Sequence, residues 1–489
     1  MKTFDISANK QGGIKVYNTL SRGKDDLKPI SYGKVKMYTC GQTVYNDIHM
    51  GNARFYVVFD AIRRYLLWKG YDVNFVQNFT DIDDKIIAKA VEEGVSSEEI
   101  AERYIAHTVE DLNALNILPA TVNPRATMEV PEIIALVEEL ISKEYAYENS
   151  GTVYYDVTKF KDYGKLSRKN INELEAGARV EVETGKKNPS DFVLWKPAKP
   201  NEPKWQSPWG EGRPGWHIEC SAMARKYLGD EIDIHGGAED LIFPHHENEI
   251  AQTEAVTGRN FARYWMHCGI LTTDHKKMSK SRGNFFTLRE MAEKFPYDVI
   301  RFYLLSGHYR MPMEFNDTVL ASANQGLQRI KTCYSNLRYT LEAAFALPIT
   351  ATVEAAAEAC APDFSETLAF ENAFIAAMDD DFNTADAITA IFELVKFANT
   401  RLVDSLTLTR EILTGLLVTL VKLCDILGIN PQIAADSAAN DAEIEALVIA
   451  RREARQNKNF AEADRIRDEL AGRGIVLEDT PGGVRWRRA

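Results

Sequence analysis

Residues 34–80 read KVKMYTCGQTVYNDIHMGNARFYVVFDAIRRYLLWKGYDVNFVQNFT. KVKMYTC predicts a short strand ending at Cys40. A loop containing Gly41 follows, then a helix from about His49 to Lys69. Phe55, Val58, Phe59, Ile62 and Leu66 recur at the 3.6-residue period and give that helix one apolar face. Gly70 ends it. YDVNFVQNFT, 71–80, alternates as a strand does. Strand, helix, strand in this order predicts a parallel α/β unit, which gathers ligands at the C-terminal ends of its strands.

Two acidic helices are predicted next, near 83–94 and 97–117. Residues 118–212 change character, with prolines at 119, 124, 131, 189, 197, 200, 203 and 208. They read as an insertion, with GTVYYDV (151–157) as one strand of a small sheet. The α/β pattern then resumes. A helix covers 216–228, IDIHGG carries a strand, a helix starts near Pro244, YWMHCGILTT supplies another strand, and a basic loop follows Lys277. From about Met313 the pattern is mostly helical. Residues 434–442 read as a linker, followed by one charged helix over 443–472 and a glycine-punctuated tail. The expected fold is thus α/β. A Rossmann-like parallel-sheet catalytic domain (1–117 and 213–312) is split by a connective insertion (118–212). A helical bundle (313–433) and a small C-terminal region (434–489) follow.

The bulk composition fits that plan. At ~100–200 residues per domain, 489 residues make about three domains. Hydrophobic residues are 45% and charged residues 26%, as in soluble globular chains. No apolar run approaches the ~18–20 residues that span a bilayer. The start, MKTFDISANKQGG, has no apolar signal core, so the expectation is a cytoplasmic protein without a membrane partner. Cys40, Cys220, Cys268, Cys333, Cys360 and Cys424 form neither a CxxC pair nor a dense disulfide pattern. The net charge of −13 argues against a uniform nucleic-acid surface but allows a local basic stripe. Arg485, Trp486, Arg487 and Arg488 form one, suited to phosphate contact and base stacking.

Three stretches carry chemistry. His49-Met50-Gly51-Asn52 opens a helix, where free N–H groups and the positive dipole end suit a phosphate. Alone it reads as a helix cap with a polar histidine. Lys277-Met278-Ser279-Lys280-Ser281, then Arg282-Gly283-Asn284, is a cationic loop able to neutralise charge on a leaving pyrophosphate. Alone it reads as a solvated surface turn. The third pairs Gly215-Trp216-His217-Ile218-Glu219-Cys220 with Phe243-Pro244-His245-His246-Glu247-Asn248-Glu249. His245 and Glu249, at i and i+4, share a helix face. With Cys40 and Cys220 they make a thiolate, imidazole and carboxylate set of the kind zinc takes.

Together, the first two stretches resemble the HIGH and KMSKS signatures of class I aminoacyl-tRNA synthetases. The third narrows the resemblance to the cysteinyl-tRNA synthetases. YTCGQTVYNDIHMGNAR, NFTDIDDKI, SDFVLWKP, GRPGWHIECSAM, DIHGGAEDLIFPHHENEIAQ, HCGILTTDHKKMSKSRGNFFT and the C-terminal NKNFAEADRIRDELAGRGIVLEDTPGGVRWRR are similar to that family's blocks. One departure is Asn52, where the HIGH signature ends in His.

The resemblance implies a cysteine–tRNA ligase. Its partners are ATP, L-cysteine and tRNA(Cys), and its cofactors are one Zn²⁺ per chain and Mg²⁺ with ATP. It implies catalytic roles for His49, Asn52, Lys277 and Lys280. Gly51, Asp240, Ser279, Lys280 and Ser281 are expected at ATP, with Asp240 near the ribose. Thr80 and Trp216 are expected at the substrate cysteine, and His235, in the same region, is given a supporting role there. Cys40, Cys220, His245 and Glu249 are the expected metal ligands. Arg485, Trp486 and Arg487 are expected to contact the tRNA, in a C-terminal anticodon-binding region. A monomer is the expected state. Asp81, Asp83 and Asp84 read better as helix N-caps than as a metal site. The nearest rival is a ligase with the same cysteine-activating core and a small amino-sugar acceptor, which needs neither the helical bundle nor the basic tail.

Overall fold

The computed structural model describes residues 12–169, 185–200, 202–273, 276–277, 286–345, 362–403, 408–432, 438–457, 459–472, 475–480 and 483–488. An antiparallel hairpin of β1 (Lys15–Asn18) and β2 (Gly23–Asp26) precedes the predicted unit. Its four-residue strands carry too short a pattern to be read from sequence. Then come β3 (Lys34–Thr39), α1 (Met50–Trp68) and β4 (Asp72–Gln77), as expected. β3 and β4 pair in parallel, Val35 opposite Val73 and Met37 opposite Phe75. The predicted acidic helices are α2 (Asp84–Glu93) and α3 (Ser97–Ala114), capped by Asp83 and Ser96.

Residues beyond 118 hold the small sheet expected there, with GTVYYDV supplying one of its strands, and a helix besides. A helix, α4 (Val130–Ser142), leads into a four-stranded antiparallel sheet. Its strands are β5 (Ala146–Asn149), β6 (Thr152–Tyr155), β7 (Phe192–Pro197) and β8 (Gly212–Pro214). They pack their own core around Trp195, Tyr155 and Leu140.

The parallel sheet resumes with α5 (Trp216–Leu228), β9 (Ile232–Ala238), α6 (Glu247–Thr257) and β10 (Ala262–Cys268). Its strand order is β10-β9-β3-β4, every pair parallel. Successive side chains of a strand face opposite layers. Val35 and Met37 of β3 join the core shared with α1, while Tyr38 and Cys40 join the core containing Cys220, Met223 and Ile250 of α5 and α6. The sheet is therefore covered on both faces, as parallel sheets are. β3 lies between β4 and β9, and the crevice at the C-terminal ends of β3 and β9 is where such folds bind ligands.

Two expectations here need correction. The helix expected from Pro244 begins at Glu247, because Ile242–His246 form an irregular turn in which Phe243 is extended and the Phe243–Pro244 bond is cis. The strand expected over YWMHCGILTT is two, β10 and β11 (Leu271–Thr273), separated at Gly269–Ile270. β11 pairs with β12 (Lys276–Lys277).

Short helices α7 (Leu288–Ala292) and α8 (Tyr297–Leu305) and the strand β13 (Met313–Glu314), parallel to β11, lead into the helical region. Helices α9 (Asp317–Phe345), α10 (Leu368–Asp379), α11 (Thr384–Val403) and α12 (Arg410–Ile426) share one core with α1 and β3. A second compact unit comprises residues 432–489. The single charged helix expected there is two, α13 (Ala438–Gln456) and α14 (Phe460–Gly472). Asn459 breaks the run by capping the second, its side chain accepting from the Glu462 amide. The tail is a hairpin of β14 (Ile475–Thr480) and β15 (Gly483–Arg488). Among the described residues, no helix is long and apolar enough to cross a membrane.

Candidate active site and metal cluster

Cys40 ends β3, Cys220 lies on α5, and His245 and Glu249 flank the start of α6. Packing of the helices onto the sheet brings one ligand atom of each within 4.8 Å of all the others. All four side chains are buried, with Glu249 at 0% exposure. Cys40 Sγ lies 3.2 Å from Glu249 Oε1, and His245 Nε2 lies 3.0 Å from the same oxygen. That His–Glu approach is off-line for a hydrogen bond and leaves the buried Nε2 without a hydrogen-bond partner. The other ring nitrogen of His245 contacts His217 Nδ1 at 2.9 Å. An imidazole anchored through one nitrogen, with the other aimed into a nest of thiols and carboxylate, fits a metal ligand.

The electrostatics point the same way. A hydrogen bond from the Cys40 thiol, against the cost of burial, brings the Cys220 thiol down to about 6. Burial, then Cys220 and Glu249, hold the Cys40 thiol well above its usual value. On His245, burial opposes the charged ring, but Glu249 and Cys220 outweigh it and raise the imidazole to about 10. Despite burial, His235 and His245 hold Glu249 well below the usual carboxylate range. The cluster thus pushes Cys220 and Glu249 toward their anionic forms in a dry interior beside a His245 pushed toward its cationic form, and buried charge needs such a partner.

A second quartet, Cys40, His235, His246 and Glu249, also meets the 4.8 Å limit. His246 is anchored in the same way, its Nδ1 lying 2.8 Å from His267 Nε2 and its Nε2 3.5 Å from Cys40 Sγ, and His267 in turn meets Thr19 Oγ1 at 2.7 Å.

A pocket opens beside the cluster at the C-terminal ends of the strands. Cys40, Trp216, His49, Asn52, Asp240 and Gly269 are among its lining residues. Trp216 stacks on His245 at 4.2 Å between ring centroids and 24° between planes. Thr80, expected at the substrate cysteine, and His235, expected to support it, are 1% and 0% exposed and are not among the pocket's lining residues. Thr80 Oγ1 donates to Glu219 Oε2 at 3.0 Å, and His235 Nε2 meets Glu249 Oε2 at 2.8 Å.

His49 is the N-cap of α1. Its Nδ1 accepts from the Asn52 amide at 3.2 Å, which leaves the ring proton on Nε2. A Cβ on Gly51 would sit 2.8 Å from the His49 ring, so only glycine lets the ring fold back over the helix end. The segment that follows the cationic stretch, Phe286–Leu288, meets this helix end. Lys277 sits in β12, opposite Thr272, and on the far side Phe286 O accepts from Met50 N at 3.1 Å while Leu288 N donates to Ile48 O at 2.8 Å. The side chain of Lys277, and Ser279, Lys280 and Ser281, lie outside the described residues.

A model described as the tRNA synthetases class I (C) catalytic domain matches residues 26–325. A DALR domain matches 373–431, and a cysteinyl-tRNA ligase anticodon binding domain matches 438–487. A cysteine–tRNA ligase of Lachnospira eligens is 55% identical over 97% of this chain and 100% of its own length. One of Brevibacillus brevis is 51% identical over 97% of this chain and 100% of its own length. The chain belongs to the cysteine–tRNA ligases. It is an ATP-dependent ligase of the class I aminoacyl-tRNA synthetases. The fold agrees. A Mycobacterium tuberculosis methionyl-tRNA synthetase, solved in complex with methionyl-adenylate, superposes with a TM-score of 0.59 at 16% identity, covering 85% of this chain and 94% of that one.

Sequence reasoning gave no role to Asn78, Arg54 or Asp381. Asn78 is buried at the end of β4, and its Oδ1 accepts from the Gly41 amide at 2.8 Å and the Tyr38 hydroxyl at 3.1 Å, fixing the turn after Cys40. Its signal was the NFT block after the strand. Arg54 closes the YTCGQTVYNDIHMGNAR stretch, and Asp381 carried no signal beyond being polar.

Proposed function

We propose that the pocket holds ATP and L-cysteine side by side, with a zinc ion in the cluster of Cys40, Cys220, His245 and Glu249. The observation that carries this reading is that Cys40 and His49 line one pocket. Of the two quartets, this one contributes two thiols. When bound, zinc supplies a receptor that takes a thiolate far better than a hydroxyl, a distinction that an apolar pocket makes only ~100-fold between near-isosteres. Trp216 walls the cysteine side. Thr80 and His235 support it from below through Glu219 and Glu249.

In the first step the cysteine carboxylate attacks the α-phosphorus of ATP, and the bond to pyrophosphate breaks. His49 Nε2–H donates to an α-phosphoryl oxygen, and the N-terminus of α1 faces the same group. Gly51 and Asn52 shape that end, and Asp240 receives the ribose. Lys277 and Lys280, with Ser279 and Ser281, neutralise the departing pyrophosphate. Mg²⁺ accompanies the nucleotide without a cage of its own. In the second step the terminal ribose hydroxyl of tRNA(Cys) attacks the activated carbonyl and releases AMP. Arg485, Trp486 and Arg487 of β15 contact the anticodon end. The enzyme works as a cytoplasmic monomer.

The test is ATP–pyrophosphate exchange with cysteine and with serine, on protein assayed for metal. Cysteine-dependent exchange with about one zinc per chain supports the reading. Equal exchange with serine, or full discrimination in metal-free protein, removes the metal from recognition.

A further inference from the structure

Two buried charged residues, Arg54 and Asp381, belong neither to the metal cluster nor to the His49–Asn52 and Lys277–Ser281 stretches. Arg54 is 0% exposed and lies two residues past Asn52 on α1. One terminal nitrogen donates to the carbonyls of Gly269 at 2.8 Å and Ile270 at 2.9 Å. The other donates to those of His308 at 3.2 Å, Tyr309 at 3.3 Å and Met311 at 2.6 Å. Gly269 and Ile270 line the pocket. These two segments meet backbone to backbone. Gly269 N donates to Tyr309 O at 2.8 Å, and a Cβ at 269 would lie 2.7 Å from Arg310 O. A single guanidinium therefore ties both segments to the first turns of α1.

Asp381 grips the same segment through its side chains. It is 0% exposed and stands between α10 and α11 in the stretch DDDFNT. Its Oδ1 accepts from the Tyr309 hydroxyl at 2.8 Å and from the Tyr17 amide at 2.8 Å. Its Oδ2 accepts from Arg310 Nε at 2.7 Å, and His308 Nε2 lies 3.5 Å away. Asp381 and Phe382 take φ values of 67° and 50°, a left-handed conformation uncommon outside glycine. The surroundings hold the turn in the shape that delivers the carboxylate.

We infer that Arg54 and Asp381 are paired positioning residues, gripping the 308–311 segment by its carbonyls and by its side chains. Through that segment they hold the Gly269–Ile270 wall of the pocket in register with the His49–Asn52 turn. The inference rests on reading this pocket as the ATP site. Misplacing reacting groups by ~1 Å can cost ~10²-fold in rate. The cysteine side is built on the end of β3 and on α5 and α6, so the grip sets nucleotide geometry and leaves cysteine binding alone.

The test uses the full-length enzyme with Arg54→Lys, Asp381→Asn and the double variant. Lysine keeps the charge but replaces a planar fork by one ammonium. Asparagine keeps the shape and drops the charge. Exchange kinetics are measured with ATP and cysteine varied separately, alongside the unfolding midpoint. Each single variant is expected to lose about tenfold or more in kcat/KM for ATP, with KM for cysteine within about twofold. The double variant is expected to be no worse than the more severe single one, because both act on one segment. Should a charge variant not fold, Tyr309→Phe, which removes one hydroxyl, reads the same joint. A lowered midpoint with normal exchange overturns the inference, as do multiplicative losses or equal losses toward ATP and cysteine. His49→Ala separates the two readings. If it leaves exchange intact, the ATP assignment of the pocket fails. If it abolishes exchange while Arg54→Lys and Asp381→Asn do not disturb it, the positioning inference alone fails.

Discussion

His49 and Asn52 cap each other. The histidine Nδ1 accepts the Asn52 amide at 3.2 Å, and Asn52 Oδ1 accepts the His49 amide at 3.3 Å. Asn52 thus uses its oxygen for the helix end, leaving its NH₂ to serve the pocket it lines. Asn52→Ala should cost about 1 kcal/mol of stability, as a lost cap does, and should also slow exchange. Asn52→Asp keeps the acceptor but loses the donor and adds charge near a phosphate. It should retain stability in thermal melts while losing exchange activity. An Asp variant with normal exchange would confine Asn52 to the cap.

In the proposed zinc site, Cys220→Ser replaces a thiolate by a neutral hydroxyl while the other members stay buried. Elemental analysis should find well under one zinc per chain, where the parent has about one. Discrimination of cysteine from serine should weaken with it. Full zinc with unchanged discrimination would take Cys220 out of the metal site and favour the quartet containing His235 and His246.

The central α/β unit was legible because its burial follows simple periods. α1 buries Phe55, Val58, Phe59, Ile62 and Leu66 against a sheet whose strands are themselves buried. That Cys40, Cys220, His245 and Glu249 would come together was legible because metal chemistry restricts the residue types of such a set. Other features were set by tertiary contact. β6 was read from GTVYYDV, but β5 and β8 run four and three residues, too short for alternation to register. The break between β10 and β11 follows from the close packing of Gly269 on residues 310–311. The partners of Arg54 lie 215 to 257 residues away. Within the sequence it reads as an ordinary polar residue on a helix.

Asp60 and Arg301 join the catalytic helix to the helical region. They form an ion pair at 2.5 Å with side chains 1% and 2% exposed. Asp60 also accepts from Arg64 Nε at 2.8 Å and from the Leu118 amide at 2.9 Å. Arg301 donates to the carbonyls of Leu115 and Leu427. Removing one member strands the other charge in the interior. Asp60→Ala should therefore cost about 3–5 kcal/mol in denaturant unfolding. A cost below about 1 kcal/mol, typical of exposed pairs, would show that water reaches Arg301.

Lys280→Ala should slow adenylate formation by orders of magnitude, with cysteine binding nearly intact. Its charge is needed mainly as pyrophosphate departs, so the loss should appear in kcat. Single-turnover exchange and equilibrium cysteine binding separate the two effects. A variant that bound cysteine poorly but activated it at the normal rate would place Lys280 elsewhere.

Truncation before Ala438 should divide the two half-reactions. His49 and the metal cluster all belong to the unit ending at Pro431, as does the stretch bearing Lys277 and Lys280. Cysteine activation therefore needs nothing from the remainder. That remainder has its own small core of Ile444, Val448, Ile466, Leu470 and Ile475. It also has a concavity lined by Arg451, Arg455, Phe460 and Arg467, and a hairpin strand carrying Arg485 to Arg488. Cations there can neutralise phosphates, and an aromatic side chain can stack on an unpaired base. The truncated enzyme should keep near-normal ATP–pyrophosphate exchange and charge tRNA far more weakly. In the full-length enzyme, tRNA affinity should fall as salt rises, with a slope set by the number of phosphates neutralised. Equal charging by both forms would remove residues 438–488 from tRNA recognition. Loss of both half-reactions would make them a support for the catalytic fold.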